Sequence, residues 1–178
     1  LYIRGVNEKK KRELVLPFKP EFDATGTFYN RKTIMAIAEM CIKSARKSRA
    51  LCALVILKIA NMSEITERFG ISSLDRMMLS INRKLRYTLE NRYITARGGD
   101  DKIIIFMESV PSEQWMYECG EYILQVLNRT AFFTTKAEQY VMYHMGTSIL
   151  TAEKADYETL YSLALSAVER ADPLKPYV

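Results

Sequence analysis

The stretch Ile94-Thr95-Ala96-Arg97-Gly98-Gly99-Asp100-Asp101-Lys102-Ile103-Ile104-Ile105-Phe106 sets two apolar, β-branched runs around a Gly-Gly pair and two acids. Glycine reaches positive φ without the Cβ clash, as a tight hairpin between twisted strands requires. Ile103, Ile104 and Ile105 are continuous rather than alternating, which suits a strand covered on both faces. The reading is a strand-turn-strand that presents Asp100 and Asp101 at the edge of a buried sheet. Adjacent carboxylates in such a place are either a solvated turn or a metal and phosphate site.

Composition narrows the classes. The chain has 178 residues, 48% hydrophobic and 26% charged, which fits one globular domain with a sizeable core. No apolar run reaches the roughly 18 residues of a membrane-spanning helix, so membrane insertion is not expected. The first residue is Leu1 and no signal-peptide pattern follows, so the chain reads as an excised cytoplasmic piece of something longer. Cys41, Cys52 and Cys119 are odd in number and each lies in an apolar stretch. They read as reduced core thiols, not a disulfide or zinc framework. His144 is the only histidine, which argues against His-based metal sites and Ser-His-Asp triads. Net charge is +5, concentrated in Lys9-Lys10-Lys11-Arg12 and in Lys43, Arg46, Lys47 and Arg49. The second group closes a helix, where cations favour the negative end of the dipole. A basic stripe interleaved with exposed aromatics is missing, so nucleic acid is not an expected partner.

Outward from the hairpin, residues 1–22 carry a basic run and then Leu-Pro-Phe-Lys-Pro, and read as an approach linker. Asn30 is placed to cap a helix over 31–47 with the stripe Ile34, Ala38, Cys41 and Ala45. Leu51 to Ile59 is the most hydrophobic run and reads as the central strand, interrupted only by Lys58 near its carboxyl end. A short helix over 63–69 ends at Gly70, and a longer one over 72–90 buries Leu74, Met77, Met78, Ile81, Leu85 and Leu89. After the hairpin, Pro111 and Ser112 open a helix to about 127, with Trp115, Cys119, Ile123 and Val126 inward. Strands over 131–135 and 140–150 form a second hairpin around the polar break 136–139. A last helix over 157–171 is stopped by Pro173, and 173–178 reads as an exit linker. The expected fold is α+β: a mixed, mainly antiparallel five-stranded sheet with helices on both faces.

With these elements placed, the chain resembles the GGDEF domain, the bacterial family that condenses two GTP into cyclic di-GMP. Gly98-Gly99-Asp100-Asp101 matches its hairpin. Asp23, Thr25-Gly26 and Asn30-Arg31 match its opening turn, with one residue more than the commonest spacing. The apolar strand ending at Lys58 matches its first strand, Phe69-Gly70 and Asp75 its "YG…GD" segment, and Met145-Gly146 its "SIG" strand. The resemblance covers 23–172 and implies a nucleotide-cyclase-like fold over those residues.

For activity the resemblance implies something else. In the family, an aspartate at the end of the first strand joins the hairpin acids in holding two divalent metals, which neutralise the triphosphate. Lys58 takes that aspartate's place, leaving Asp100 and Asp101 as candidate ligands. An ammonium ~4 Å from a divalent ion, at an effective dielectric of about 20, is repelled by roughly 8 kcal/mol. Its expected role is to replace the metal and pair with Asp100 or Asp101; the plainer reading is a strand-end lysine whose ammonium reaches water. Thr66 stands where the family has a guanine-contacting asparagine, and cannot offer a paired amide donor and acceptor. Asp75, the other guanine-facing position, is retained, so the two form a vestigial nucleotide site. Lys102 replaces an aromatic, Asp172 a late basic residue for phosphates, and Leu89-Glu90-Asn91-Arg92 the Arg-x-x-Asp of the inhibitory product site.

The expectation is a degenerate GGDEF domain without cyclase activity, needing no cofactor and serving as a regulatory or scaffold module. Its implied partners are neighbouring domains of the same chain, an EAL phosphodiesterase or a sensor domain, with a homodimer compatible. The alternatives are an active cyclase with an altered metal site, using Mg2+ and GTP, or a module that senses GTP without turning it over.

Overall fold

A computed structural model describes residues 16–89, 93–128, 131–133, 138–150 and 156–178. The elements run α1 (Arg31–Ser48), β1 (Leu51–Ile59), α2 (Met62–Phe69), α3 (Ser72–Leu89), β2 (Tyr93–Arg97), β3 (Lys102–Val110), α4 (Glu113–Asn128), β4 (Ala131–Phe133), β5 (Glu138–Tyr140), β6 (Tyr143–Leu150) and α5 (Tyr157–Arg170). Asn30 caps α1 as its sequence position suggested, its side-chain oxygen accepting from the Thr33 amide at 2.8 Å. The turn before it is closed by Asp23, whose carboxylate accepts from the Thr25 hydroxyl and from the Thr27 and Phe28 amides. Such an Asx-type turn is what an aspartate ahead of Thr-Gly provides.

The main sheet has the order β2-β3-β1-β6, and every pairing between these strands is antiparallel. Alternation along β1 divides the interior. Val55, Leu57 and Ile59 face one core with Ile103, Ile105, Met77, Met78 and Ile123, under α2, α3 and α4. Leu54 and Ile56 face another with Ile104, Phe106, Ile34 and Leu160, under α1 and α5. Two covered faces explain why β1 and β3 carry unbroken apolar runs. Gly146 lets α5 lie directly on β6: a Cβ there would fall on the Ala164 carbonyl oxygen and the Val168 amide nitrogen. No helix among the described residues is long and apolar enough to cross a membrane.

Four expectations are corrected. The sheet has four strands, not five, and they are not mixed in direction; β4 pairs with β5 alone, in a separate two-stranded sheet. The second hairpin is therefore β4–β5, and the run expected as one strand over 140–150 is split. Asn61 causes the split: its amide donates to the Tyr140 carbonyl at 3.0 Å and its carbonyl accepts from the Met142 amide at 2.9 Å. The tail over 173–178, expected as a linker, is laid along the free edge of β6 in parallel. Met145 N–H donates to Pro176 O, Thr147 N–H to Val178 O, and Val178 N–H to Met145 O. Tyr177 is buried there, its ring over Gly120 and stacked on Tyr117. Part of the expected approach linker is likewise packed, since Leu16 and Phe18 lie against the α1/α5 core. Residues 1–15 lie outside the described residues.

Candidate functional site

The hairpin between β2 and β3 is built as its glycines required. Gly99 has φ +149°, Gly98 N–H donates to Lys102 O at 2.9 Å, and a Cβ on Gly98 would stand 3.0 Å from Ile104 Cγ1. Arg97 braces the turn, donating from its guanidinium to the carbonyl oxygens of Gly99 at 2.7 Å and Asp100 at 3.1 Å. A backbone bond from Ile59 N–H to Asp101 O, 2.8 Å, ties the turn to the end of β1. The sequence-predicted residues Gly98, Gly99, Asp100, Asp101 and Lys58 are thus brought to one end of one sheet.

Their charges are arranged differently from the expectation. Lys58 forms no ion pair with either hairpin acid. Asp101 is held instead by the Lys102 ammonium at 2.8 Å, with both side chains about a quarter exposed. Asp100 is exposed. The register explains the result. Lys58 is the Cα partner of Lys102 on β3 and of His144 on β6, so two lysines and the histidine form one cross-strand row on one face. Asp101 lies in the turn just beyond that row, where Lys102 is its nearest cation. His144, set aside at the sequence level as too solitary for a His-based site, becomes a neighbour of Lys58 only through β6 pairing to β1, which no local pattern reveals.

Thr66 and Asp75 remain apart from this row. The Thr66 hydroxyl donates back to the Met62 carbonyl within α2 at 2.8 Å, while Asp75 is exposed on the first turn of α3. Neither bonds to the hairpin. Asp172 closes a turn after α5, its carboxylate accepting from the Lys175 amide at 2.9 Å and the Leu174 amide at 2.8 Å. Those two donors hold its carboxyl below the usual carboxylate range. Glu90, Asn91 and Arg92, in the segment matching the inhibitory site, lie outside the described residues. Among the described residues no group of three or more His, Cys, Asp or Glu side chains converges in a metal-binding arrangement.

The family described as "Diguanylate cyclase, GGDEF domain" matches residues 21–175. Curated protein sequences give no significant match. Among solved structures, the FimX GGDEF domain of Pseudomonas aeruginosa superposes with a TM-score of 0.76 at 14% identity, over 83% of this chain and 91% of that one. The active GGEEF domain of a diguanylate cyclase from Vibrio cholerae gives 0.75 at 19% identity, over 83% and 94%. The diguanylate cyclase SiaD of Pseudomonas aeruginosa, solved in complex with its activator SiaC, gives 0.76 at 15% identity, over 83% and 56%. At these identities the structures attest the fold, and the family match spans nearly all of the packed chain. The chain belongs to the GGDEF domain family of diguanylate cyclases.

Proposed function

We propose that this domain makes no cyclic di-GMP and acts as a regulatory or scaffold module of a larger cyclic di-GMP signalling protein. The supporting observation is the cross-strand row at the sheet end, where Lys58 stands opposite Lys102 and His144 and Lys102 holds Asp101. These residues do not fit a divalent-cation site. Magnesium and manganese need several converging oxygens. Here one of the two hairpin carboxylates is engaged by an ammonium, the other belongs to an exposed residue, and a second lysine stands at the strand end. Thr66 adds to the reading, because its hydroxyl already bonds the Met62 carbonyl of its own helix.

What remains is a folded platform with a braced hairpin, suited to contact a neighbouring domain, whether an EAL phosphodiesterase or a sensor. The test is to incubate the chain with GTP and magnesium or manganese at rising protein concentration, and to separate the nucleotides by chromatography. No product above the blank is expected. Cyclic di-GMP that scales with protein would overturn the reading, and GTP binding without product would make the domain a GTP sensor instead.

A further inference from the structure

Residues 172–178 meet the fold through one buried side chain and a short strip of backbone. Asp172 and Lys175 close a turn by reciprocal backbone bonds of 3.1 Å, and the residues from Asp172 to Lys175 are exposed. Pro176 and Val178 are half-buried, and Tyr177 alone of this segment is buried. Its ring lies over Gly120 of α4, where an added Cβ would stand 2.5 Å from the ring Cζ. A glycine inside a helix is destabilising relative to alanine, and at Gly120 the missing side chain is what makes room for the ring. The ring also stacks on Tyr117, centroids 5.3 Å apart, and its phenol donates to the Met116 carbonyl at 3.3 Å. Beside it, backbone bonds of 2.6, 2.9 and 3.0 Å join Met145 and Thr147 of β6 to Pro176 and Val178, with the two segments parallel.

We propose that the β6 edge and the seat over Gly120 form a binding site for an extended peptide segment carrying an aromatic residue, and that the tail closes this site as a reversible strap. Strand addition to a sheet edge works in this way: main-chain bonds hold any extended segment, and a seat for one side chain selects among them. The occupant is a partner-protein segment of the tail's own chemistry, a proline, an aromatic and a β-branched residue lying parallel to β6, because that pattern is the one seated there. The ring carries the selectivity, since its two neighbours are only half-buried and a proline has no N–H to lose at an edge. The strap opens because so little holds it. A segment fixed by one buried side chain and a few backbone bonds lifts at a smaller cost than strands covered on both faces. The exposed turn from Asp172 to Lys175 is its hinge, so α5 stays seated on Gly146 while the tail moves. An edge uncovered in this way is a template for another strand. Nothing in the site depends on whether the hairpin makes cyclic di-GMP.

Amide hydrogen exchange on the whole chain is the first measurement. The Met145 and Thr147 amides, which donate to the tail, should exchange at least about tenfold faster than β1 amides paired to β3. Tyr177→Ala should speed those two amides by at least about a further tenfold and leave the β1 amides unchanged, which also shows that the variant is folded. A labelled peptide spanning residues 172–178 is then titrated by fluorescence anisotropy. It should bind the Tyr177→Ala chain one to one, and the parent chain more weakly, because the parent's own tail competes. The same peptide with alanine in place of its tyrosine should bind the Tyr177→Ala chain at least about tenfold more weakly. Adding Gly120→Ala to Tyr177→Ala fills the seat while favouring the helix, and should abolish binding. The proposal is overturned if the Met145 and Thr147 amides exchange only together with those of β1, or stay as protected in Tyr177→Ala as in the parent. A peptide that does not bind the Tyr177→Ala chain, or binds equally well without its tyrosine or with the seat filled, overturns it too.

Discussion

Replacing Lys58 by Met should stabilise this domain, which is the reverse of what a lysine paired with the hairpin acids would do. Lys58 faces Lys102 and His144 across antiparallel pairs, whose Cα atoms stand about 4.5–5.5 Å apart. Like charges directly opposite one another on a sheet, here the ammonium groups of Lys58 and Lys102, cost about 0.2–1 kcal/mol. The Lys102 charge is partly offset by Asp101 at 2.8 Å, and Lys58 is only half-buried, so the middle of that range applies. Lys58→Met should then raise stability by about 0.5 kcal/mol, or about 1–2 °C in Tm for a chain of this size. The methionine also changes the packing, so the charge effect is read from its salt dependence. Urea unfolding at low salt should show the gain. Near 1 M salt, where the Debye length is about 3 Å, the electrostatic part should vanish and only the packing difference remain. A variant less stable than the parent at low salt, with the loss absent in an Asp100→Asn, Asp101→Asn background, would refute the reasoning. That pattern would mean that Lys58 pairs with the acids in solution.

Gly146→Ala tests the close approach of α5 to β6. Its Cβ would fall on backbone atoms of Ala164 and Val168 and stand 2.9 Å from Val168 Cα, and backbone cannot rotate away as a side chain can. A loss of about 3 kcal/mol, or about 6–12 °C in Tm, is expected by calorimetry, and a loss under about 1 kcal/mol would show that α5 is not seated there. The domain should also be labile to alkali. Burial pushes the Cys119 thiol up to about 11, and burial, followed by Glu108, pushes Cys41 up to about 12; burial does the same for the Tyr93 phenol. Because the folded chain holds these protons more tightly than the unfolded one, stability is complete below pH 9 and falls as pH rises toward 12. Urea midpoints that stay flat across that window would contradict the burial of these groups.

The elements legible in the sequence were those whose signal is local. The stripe of α1, its Asn30 cap, the unbroken run of β1 and the Gly-Gly turn each announce themselves within a few residues. What escaped depends on partners far along the chain. Asn61 divides β5 from β6 by bonding backbone groups 79 and 81 positions away, and nothing in the apolar run after Glu138 marks the break. The tail was masked by its own prolines, which read as a stop. Yet Pro176 needs no N–H at an edge position, and its carbonyl accepts the bond from Met145. The site shows the same division. That acids and a lysine would gather at the sheet end was legible from the hairpin and from the resemblance. Which cation takes which acid was not, because Asp101 lies in a turn and escapes the rule that consecutive strand residues point to opposite faces.

On the proposed reading, a cation site cannot be made by changing Lys58 alone. A carboxylate introduced by Lys58→Asp would stand across the strand pair from Lys102, and opposite charges so placed attract by about 0.2–1 kcal/mol. Lys102 would then be shared between two acids, Asp101 and the new aspartate, and would remain a positive charge among the oxygens a cation needs. Removing the second ammonium should matter as much as removing the first. Lys102→Phe, which restores the residue type the family carries after the second acid, frees Asp101 while the backbone bond from Ile59 keeps the turn against β1. Thermal unfolding with and without manganese separates the cases, since a ligand that binds only the folded state raises Tm. Lys58→Asp alone should give no manganese-dependent shift, whereas Lys58→Asp with Lys102→Phe should give a rise that grows with metal concentration. A clear shift in the single variant would show that Lys102 does not compete for the site. A flat response in the double variant would show that Asp100 and Asp101 are not disposed to converge on a cation at all.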